Sequence, residues 1–565
     1  MPTSTLVLSR VLERLGPGIT SEQIDAALFA SKAETESTAG DALELSVTPD
    51  RLDLLSEGGL ALYLQGALGV ATGGARLRRA RSGAPPIQFV ADRSVAPLRP
   101  YLAGVRARAP AGKPLDAGLL AEAVRFQEVL HATVGRDRRA MSLGIYPARG
   151  LASPVRYALE PFDAVEFTPL DGDSPVSARR FFEDHPLAKR YGDLGRSEDA
   201  CLTLRDADGK VLSLPPVLNS RVRGQASPGD RALLLEATGT RERAVREGLG
   251  LLLVVFAAQG WSFVPVPVEG PGEARSDGES VLADVPKDLP SSVLSGLLGA
   301  ELPTSEVVGR LGRARLSARR APGGWRVSVP PWRPDLLAAV DLAEEVILAG
   351  GLRPEDGQLP PSASRGRRGA GSLFRREVGY LLLGLGFAEP LTPVLVSDVA
   401  AARLGGPAPI RLANPVSREY SVVRDRLLLS HLEVLGRNTR HGYPQRFAEV
   451  APVVVRAPGT ECGGETRFRA GLIIAAEGAG FADAASTVDY LLRSLDVGSV
   501  REPADLPGTI PGRAARVRVA GETVAELGEI HPRILGELGV PVPVAWAEVD
   551  LTSLGALAAR RDTTK

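Results

Sequence analysis

The sequence predicts a multidomain α+β protein, and three observations support this fold class. The chain has 565 residues, and at roughly 100–200 residues per domain it should form about three to five domains. Strand patterns of period two alternate with amphipathic helical patterns along its length. Stretches rich in Gly, Pro and charged residues interrupt these patterns, as interdomain linkers do.

Three such linkers divide the chain into four predicted domains. The linkers are Ala71–Pro86, Val264–Ser280 and Leu359–Ser372. The domains that they separate cover residues 1–75, 86–265, 275–355 and 370–565.

Bulk composition excludes several classes of function. The 67 basic and 67 acidic residues cancel, so any contact with RNA must be local. Cys201 and Cys462 show no metal-ligand spacing, and the reducing cytoplasm is the expected compartment. The N-terminus does not resemble a signal peptide. The most apolar run, Gly248–Trp261, is too short to span a bilayer, so no membrane association is expected.

The predicted elements follow in chain order. The alternation in Leu43–Arg51 indicates a strand, and residues 52–69 indicate a helix that ends at glycine. Asp230–Thr240 is a second predicted strand, followed by a helix over residues 241–260. Trp325–Arg333 alternates in the same way and precedes a third amphipathic segment.

A short internal repeat links the first and third segments. Residues 51–55 read RLDLL, and residues 333–337 read RPDLL. Each follows an alternating strand and precedes a helix with a Gly-containing end. The match predicts a shared small α/β unit, although five residues can also match by chance.

The segment Pro330–Leu352 is apolar, yet it carries four acids, which are Asp335, Asp341, Glu344 and Glu345. A helix starting near Leu336 would place Asp335 at its N-terminus and the other three acids on one face. Such carboxylates suit Mg²⁺. The alternative is a capping Asp with a solvated acidic face paired to Arg333, and the pattern alone favours it. The first copy of the repeat has non-acidic residues at the matching positions, namely Gly59, Leu62 and Tyr63.

Ordered blocks along nearly the whole chain resemble the β subunit of phenylalanyl-tRNA synthetase, of the archaeal and eukaryotic type. Asp50 and Leu52 depart from the family's Asn-Arg-Pro-Asp-Leu-Leu motif. The blocks are Thr48–Gly69, Arg99–Arg108, Glu183–Leu194, Leu212–Ser220, Leu233–Thr240, Asn414–Asn438, Tyr443–Val455 and Gly528–Gly539.

The resemblance implies a heterotetramer, α₂β₂, that charges tRNA(Phe) with phenylalanine and uses ATP. The aminoacylation site is expected on the α subunit. The last segment would be a non-catalytic module with the antiparallel sheet of class II synthetases. Arg424 and Arg426 lie in a plausible place for an ATP clamp, but the late Gly-rich element ending in Arg is not found. The resemblance also implies that Asp335, Asp341, Glu344 and Glu345 bind Mg²⁺.

The second segment resembles an editing domain, which would hydrolyse mischarged tyrosyl-tRNA(Phe). Such a site must hydrogen-bond the tyrosine hydroxyl, because a site built for a hydroxyl rejects the analogue that lacks it. The candidate acceptor is Glu236, which stands where the family usually has Asp, and Thr238 lies on the same face of the predicted strand. Ser213 and Asn219 stand at family-like positions and could hold the ester or ribose. His185 is a possible base or only a helix boundary.

Two other classes of function stay open. A free-standing editing deacylase would need no C-terminal partner surface, so the intact last segment argues against it. A non-catalytic RNA-binding or assembly paralogue would explain the departures at Asp50, Leu52 and Glu236.

Overall fold

The structure is a computed structural model that describes residues 2–80, 86–270, 278–351 and 366–562. The chain divides into two compact units, residues 1–358 and 359–565. Both units combine helices and sheets, which confirms the mixed α+β class. In the part of the chain that the structure describes, no helix is both long and apolar enough to cross a membrane.

The first unit opens with a three-stranded antiparallel sheet of order β1-β3-β2. Leu43, Leu45 and Val47 point inward from its central strand at the predicted period of two. Ser56 then caps a helix by accepting the Gly59 N–H. The elements are β1 Thr3–Val7, α1 Leu8–Leu15, α2 Ser21–Phe29, β2 Ala33–Ala39, β3 Ala42–Val47 and α3 Glu57–Ala67.

Two larger sheets follow, with orders β4-β15-β6-β14-β7 and β13-β12-β11-β8-β5-β16. Their elements, including the separate pair β9 and β10, are β4 Arg78–Arg79, β5 Phe89–Ala91, β6 Tyr101–Arg108, α4 Ala117–Ala132, β7 Met141–Pro147, β8 Val155–Pro161, β9 Glu166–Phe167, β10 Val176–Ser177, α5 Ala178–Asp184, α6 Pro186–Tyr191, β11 Ala200–Arg205, β12 Val211–Leu214, β13 Leu218–Asn219, α7 Arg221–Gly224, β14 Ala232–Gly239, α8 Glu242–Ala257, β15 Ser262–Val266 and β16 Val268–Glu269.

Strand β14 has both faces covered, which explains its nearly continuous apolar sequence. Leu233 and Leu235 face a core shared with α4 and α8. Leu234 faces the opposite way, into the core that the second sheet also lines. Glu236 lies on this second face, because side chains alternate along a strand. The predicted strand and its following helix are therefore both found, with shorter bounds.

The first unit ends in a three-stranded antiparallel sheet of order β17-β19-β18, covered by helices. The last helix begins at Ala339 and not near Leu336 as predicted, so Asp335 lies outside it. The elements are α9 Gly278–Leu282, β17 Val285–Pro290, α10 Ser291–Leu298, α11 Thr304–Arg313, β18 Ser317–Ala321, β19 Gly324–Val329 and α12 Ala339–Gly350.

The second unit is built on a six-stranded antiparallel sheet of order β23-β24-β28-β27-β26-β25, with apolar cores on its two faces. Its elements are α13 Ala370–Gly384, β20 Leu395–Val396, α14 Asp398–Leu404, β21 Ile410–Arg411, β22 Val422–Val423, α15 Leu427–Arg437, β23 Gln445–Arg456, β24 Gly464–Ala475, α16 Phe481–Ser494, β25 Val500–Pro503, β26 Thr509–Val519, β27 Glu522–Ile530, α17 Pro532–Glu537, β28 Val544–Asp550 and α18 Leu551–Asp562.

The predicted linkers are only partly described, since residues 81–85, 271–277 and 359–365 lie outside the described ranges. The described part of the first linker contains strand β4, which pairs in parallel with β15. That part is an edge strand of the five-stranded sheet, because its backbone continues the sheet's hydrogen bonding.

Candidate functional site

The two copies of the internal repeat have the same local geometry. Arg51 binds Asp53 through two N–H···O bonds of 3.0 Å, and both side chains are buried. Arg333 binds Asp335 in the same two-pronged way, at 2.9 and 2.8 Å. Each pair lies between a strand and a helix. The repeat is therefore a structural unit, in which a fork-shaped guanidinium holds a carboxylate two residues later.

One of the positions at which the two copies differ lies ten residues after the aspartate. In the first copy, the guanidinium of Arg51 lies 5.0 Å from the ring centre of Tyr63. In the second copy, Arg333 reaches Glu345 across 2.6 Å. The same spacing thus supports a cation–π contact in one copy and an ion pair in the other.

The four acids of the second copy each have a partner other than a metal. Asp335 and Glu345 both bind Arg333, and the Nζ of Lys32 lies 2.8 Å from Glu344. Asp341 accepts the N–H groups of residues 337 and 338 at 2.7 Å each, so it caps α12 in the place that was predicted for Asp335. Asp335 does not cap the helix because the helix begins only at Ala339, and its carboxylate binds Arg333 instead.

The residues as placed do not fit the predicted Mg²⁺ site. Within the described ranges, no group of three or more His, Cys, Asp or Glu side chains could hold a metal ion. Burial would raise the pKa of Asp335, but the adjacent Arg333 holds that pKa below its ordinary value. Arginine therefore supplies the positive charge that a cation was expected to supply, and the Mg²⁺ site stays a prediction of the resemblance.

A second candidate site is a cavity of about 540 Å³ in the region of the two larger sheets. Three of the four residues predicted for editing line it, namely Ser213, Asn219 and Glu236. Ser213 and Asn219 face each other on the neighbouring strands β12 and β13. The cavity therefore joins residues from both sheets, and the hydroxyl of Tyr146 links Ser213 on β12 to Glu236 on β14 at its wall.

Glu236 is only 2% exposed, and its two oxygens differ sharply. Oε1 accepts the phenol proton of Tyr146 at 2.8 Å. Oε2 has no hydrogen-bond partner among the residues that the structure describes. A buried carboxylate oxygen without a partner is costly to the fold, so this atom is available for a donor that enters the cavity.

Glycines on both neighbouring strands provide space around Glu236. In the sheet register, Glu236 lies between Gly104 on β6 and Gly144 on β7. A Cβ atom at Gly144 would lie 2.1 Å from the Tyr146 hydroxyl and 2.6 Å from Glu236 Oε1. A side chain at Gly144 is therefore incompatible with the observed hydrogen bond.

The environment makes Glu236 a weak acid. Burial raises its pKa from the ordinary 4.5 to about 7, although the Tyr146 hydrogen bond and the charge of Arg99 lower it in part. Arg99 is itself completely buried and donates to the Ser142 hydroxyl and to the carbonyl oxygens of Thr238 and Arg138. The carboxyl group of Glu236 can therefore change its charge near neutral pH.

Thr238, the fourth predicted editing residue, does not line the cavity. It is completely buried on the same face of β14, and its hydroxyl lies 3.1 Å from that of Ser142. Its carbonyl oxygen accepts the 2.7 Å bond from Arg99. Thr238 therefore holds the buried arginine behind the site, and its predicted contact with substrate stays a prediction.

The cavity also contains a cluster that sequence reasoning missed. His131 Nε2 accepts the Leu143 N–H at 2.8 Å, which leaves the ring proton on Nδ1, facing Glu128 at 3.1 Å. Burial lowers the pKa of His131, so the ring is neutral near pH 7. Arg138 binds Glu128 and donates to the carbonyl oxygens of residues 216 and 217. No local motif marks these residues, because three separate chain segments form the cluster.

His185 has the second of its two predicted roles. Its Nδ1 accepts the Leu187 N–H and thereby caps α6. Its other ring nitrogen lies 3.0 Å from Asp171, and the ring stacks on Phe181. His185 does not line the cavity. It marks the beginning of helix α6.

The second unit has a separate charged cavity of about 540 Å³ on one face of its sheet. Four of the five arginines that line it pair with acids, among them Arg469, 2.8 Å from Glu548, and Arg426, 3.0 Å from Asp425. Arg424 is buried outside the cavity and lies 3.5 Å from Glu449. Because carboxylates already neutralise these guanidinium groups, this face is poorly suited to holding the phosphates of ATP.

Comparisons with known proteins agree with this architecture. A family model described as the phenylalanyl tRNA synthetase beta chain CLM domain matches residues 358–551, and the tRNA synthetase B5 domain matches residues 288–352. The chain is 32% identical over 548 residues to the phenylalanine–tRNA ligase beta subunit of Aeropyrum pernix, covering 96% of this chain and 97% of that one. The corresponding subunit of Korarchaeum cryptofilum is 30% identical, with the same coverage.

Among solved structures, an N-terminal fragment of the phenylalanyl-tRNA synthetase beta subunit from Pyrococcus horikoshii resembles this chain. It matches with a TM-score of 0.56 and 22% identity, covering 62% of this chain and all of the fragment. At this identity, the match supports the fold alone. The sequence similarity to the two subunits above extends over nearly their full length, and on that ground the chain belongs to the phenylalanyl-tRNA synthetase beta-subunit family.

Proposed function

We propose that the cavity at Glu236 hydrolyses mischarged tyrosyl-tRNA(Phe), and that this chain works with an α subunit that attaches phenylalanine to tRNA(Phe) at the expense of ATP. The observation that supports editing is the free Oε2 of Glu236, a buried acceptor at the wall of a cavity. Family membership supports the second part of the proposal.

The free groups at this wall favour a ligand that donates a proton. Tyr146 gives its only hydroxyl proton to Glu236, so the 2.9 Å contact between Tyr146 and Ser213 must use the Ser213 proton. When Glu236 is ionised, at a pH above its pKa of about 7, the oxygens of Ser213 and Glu236 that remain free are therefore acceptors. A tyrosine hydroxyl satisfies such an acceptor, whereas the ring edge of phenylalanine leaves it buried and unpaired.

Hydrolysis itself would use a water molecule rather than a protein nucleophile. The Ser213 proton is already donated to Tyr146, Nε2 of His131 is already accepting a backbone N–H, and its Nδ1 faces Glu128. Neither group forms a nucleophile–base pair with the other. Asn219 would orient the ester while Glu236 holds the tyrosine hydroxyl. A water positioned beside the ester would attack its carbonyl carbon, break the bond to the tRNA hydroxyl and release tyrosine and tRNA(Phe).

An α subunit needs a docking surface, and the second unit exposes apolar side chains that would serve. Leu391 is 98% exposed and Val416 is completely exposed. Isolated exposed apolar residues are common, so family membership supplies the reason to propose contact here. We also propose that the chain assembles with the α subunit as α₂β₂ in the cytoplasm. Its four domains would cover residues 1–75, 86–265, 275–355 and 370–565.

The decisive experiment combines charging and deacylation. The chain is co-expressed with a class II α subunit of the same organism, and the purified complex is given ATP, phenylalanine and tRNA(Phe). We expect charging and, on preformed tyrosyl-tRNA(Phe), rapid hydrolysis that Glu236→Ala abolishes. The matched control is Asp288→Ala, which removes an exposed carboxylate of the same unit.

Each other result would support a different function. A monomer that only hydrolyses tyrosyl-tRNA would identify a free-standing deacylase. A chain that binds tRNA but neither supports charging nor hydrolyses would identify an assembly paralogue. Unchanged hydrolysis in Glu236→Ala would rule out the proposed site while leaving the synthetase function intact.

A further inference from the structure

Tyr146 occupies an unusual place beside the candidate site. It is 1% exposed, and its ring belongs to the apolar core that both larger sheets line. Its hydroxyl lies at the cavity wall, 2.8 Å from Glu236 and 2.9 Å from Ser213. The protein's own phenol group therefore already binds the acceptor that we propose for a substrate phenol.

The three groups form a directed chain of hydrogen bonds. The Ser213 hydroxyl donates to Tyr146, and Tyr146 donates to Oε1 of Glu236. This chain ends at Glu236, so only Oε2 is left without a partner. Because Gly144 leaves no side chain in the way, the Tyr146 hydroxyl can approach both partners closely.

We propose that Tyr146 is a positioning and specificity-determining residue of the editing site, because it saturates one oxygen of Glu236 and turns the other toward a single incoming hydroxyl. This inference rests on the proposed editing function. With Oε1 occupied, Glu236 offers one acceptor oxygen at one place. Selectivity for tyrosine over phenylalanine then depends on one well-oriented hydrogen bond instead of on a mobile carboxylate that water could satisfy.

Loss of the Tyr146 hydroxyl has two physical consequences. Glu236 gains a second free oxygen, so its carboxyl group can rotate or bind water in place of the substrate hydroxyl. The hydrogen bond that lowers the pKa of Glu236 also disappears, so that pKa should rise further. The other charged group that acts on Glu236 is Arg99, which is unaltered. Tyr157 interacts with Glu236 only as a phenolate, and burial disfavours that form by raising the pKa of Tyr157.

The test is Tyr146→Phe in the complex with its α subunit, which keeps the ring in the core and removes one oxygen. Hydrolysis of tyrosyl-tRNA(Phe) and phenylalanyl-tRNA(Phe) is measured as kcat/KM across a range of pH. We expect the ratio of the two values to fall at least about tenfold and the midpoint of the pH profile to move upward. The matched control is Tyr157→Phe, which removes a buried hydroxyl of the same core that donates to the Arg99 carbonyl oxygen instead.

A second variant covers the case in which Tyr146→Phe does not fold. Gly144→Ala pushes the Tyr146 hydroxyl away from Glu236, because its Cβ would lie 2.1 Å from that hydroxyl, and it should lower the ratio in the same direction. If the wild-type complex is active but a folded variant keeps the same selectivity and the same pH midpoint, the proposed role of Tyr146 is overturned. The proposed editing function is then unaffected. A wild-type complex that does not hydrolyse tyrosyl-tRNA(Phe) would overturn the proposed editing function and this inference with it.

Discussion

Arg333 and Glu345 form a buried ion pair with an N···O distance of 2.6 Å, at the position where the first copy of the repeat stacks its arginine on a tyrosine. The pair fixes the beginning of one strand–helix connection to the middle of the helix that follows. Both side chains are almost completely buried, so the surrounding core depends on the pairing.

Glu345→Ala should lower the free energy of unfolding by roughly 3 kcal/mol, because it removes one of two carboxylates from a buried guanidinium. Urea unfolding followed by circular dichroism measures this change. The comparison is Asp288→Ala, which breaks a solvent-exposed pair with Arg326 and should cost less than about 1 kcal/mol. Similar losses in the two variants would show that burial of the Arg333 pair is unimportant.

The arginine and lysine partners of the acid cluster lead to a prediction about metal. Since Arg333 and Lys32 already pair with three of the four carboxylates, the melting temperature of the chain should be equal in Mg²⁺ and in EDTA. Differential scanning calorimetry without ATP or tRNA tests this. A rise in Mg²⁺ that disappears in the double variant Asp341→Ala, Glu345→Ala would instead restore the metal site expected from the family.

Glu236 should make the fold less stable as the pH rises. Its pKa is about 7 in the folded state against an ordinary 4.5, so the unfolded chain loses the proton first and stability falls between these two values. Glu236→Gln removes this dependence and should be more stable than the wild type by on the order of 3 kcal/mol at about pH 8. The two proteins should be similar at about pH 4. An equal difference at both pH values would mean that Glu236 titrates normally.

Gly144→Ala should displace the Tyr146 hydroxyl, because the new methyl group would lie 2.1 Å from it. Overpacking of this kind costs about 1–3 kcal/mol. Gly296→Ala in helix α10 is the control, since nothing lies within 4 Å of its Cβ position, and it should stabilise the helix by about 0.5–1 kcal/mol. Thermal unfolding measures the stability of both variants. If Gly144→Ala leaves the melting temperature unchanged, Tyr146 is not held rigidly.

The exposed apolar residues of the second unit should matter for assembly and not for folding. Leu391→Asp with Val416→Asp should weaken association with the α subunit at least about tenfold, while the melting temperature of the isolated chain stays unchanged. Val500→Asp provides a control at another exposed apolar position of this unit, 64% exposed. Sedimentation of the mixed subunits gives the affinity, and full assembly of the double variant would place the α interface elsewhere.

Sequence patterns predicted the secondary-structure elements better than they predicted the contacts between side chains. A short apolar run bounded by turn residues located strand Ala232–Gly239, and the helical period located helix Glu242–Ala257, each to within a few residues. The acid cluster was harder, because its spacing shows which acids share a helix face but not that Lys32, about 300 residues earlier, meets Glu344. Pairing partners of this kind depend on tertiary packing, which periodicity does not encode.

In the candidate site too, individual residues could be predicted but their contacts could not. Resemblance to a family predicted Ser213, Asn219 and Glu236, which do line one cavity. No sequence motif marks Tyr146. Its place beside Glu236 depends on the strand register that pairs Glu236 on β14 with Gly144 on β7. A shift of one residue in that register would turn Tyr146 to the opposite face of the sheet, so no reading of the separate strands could have identified it.

The duplicated arginine–aspartate unit also connects distant parts of the chain. Arg51 interacts electrostatically with Asp335, and Arg333 with Asp53, so each copy of the repeat compensates part of the other's buried charge. The two copies are separated by almost the whole length of the first unit. Residues 2–80 and 278–351 therefore depend on each other for part of their charge balance, although most of the first unit lies between them along the chain.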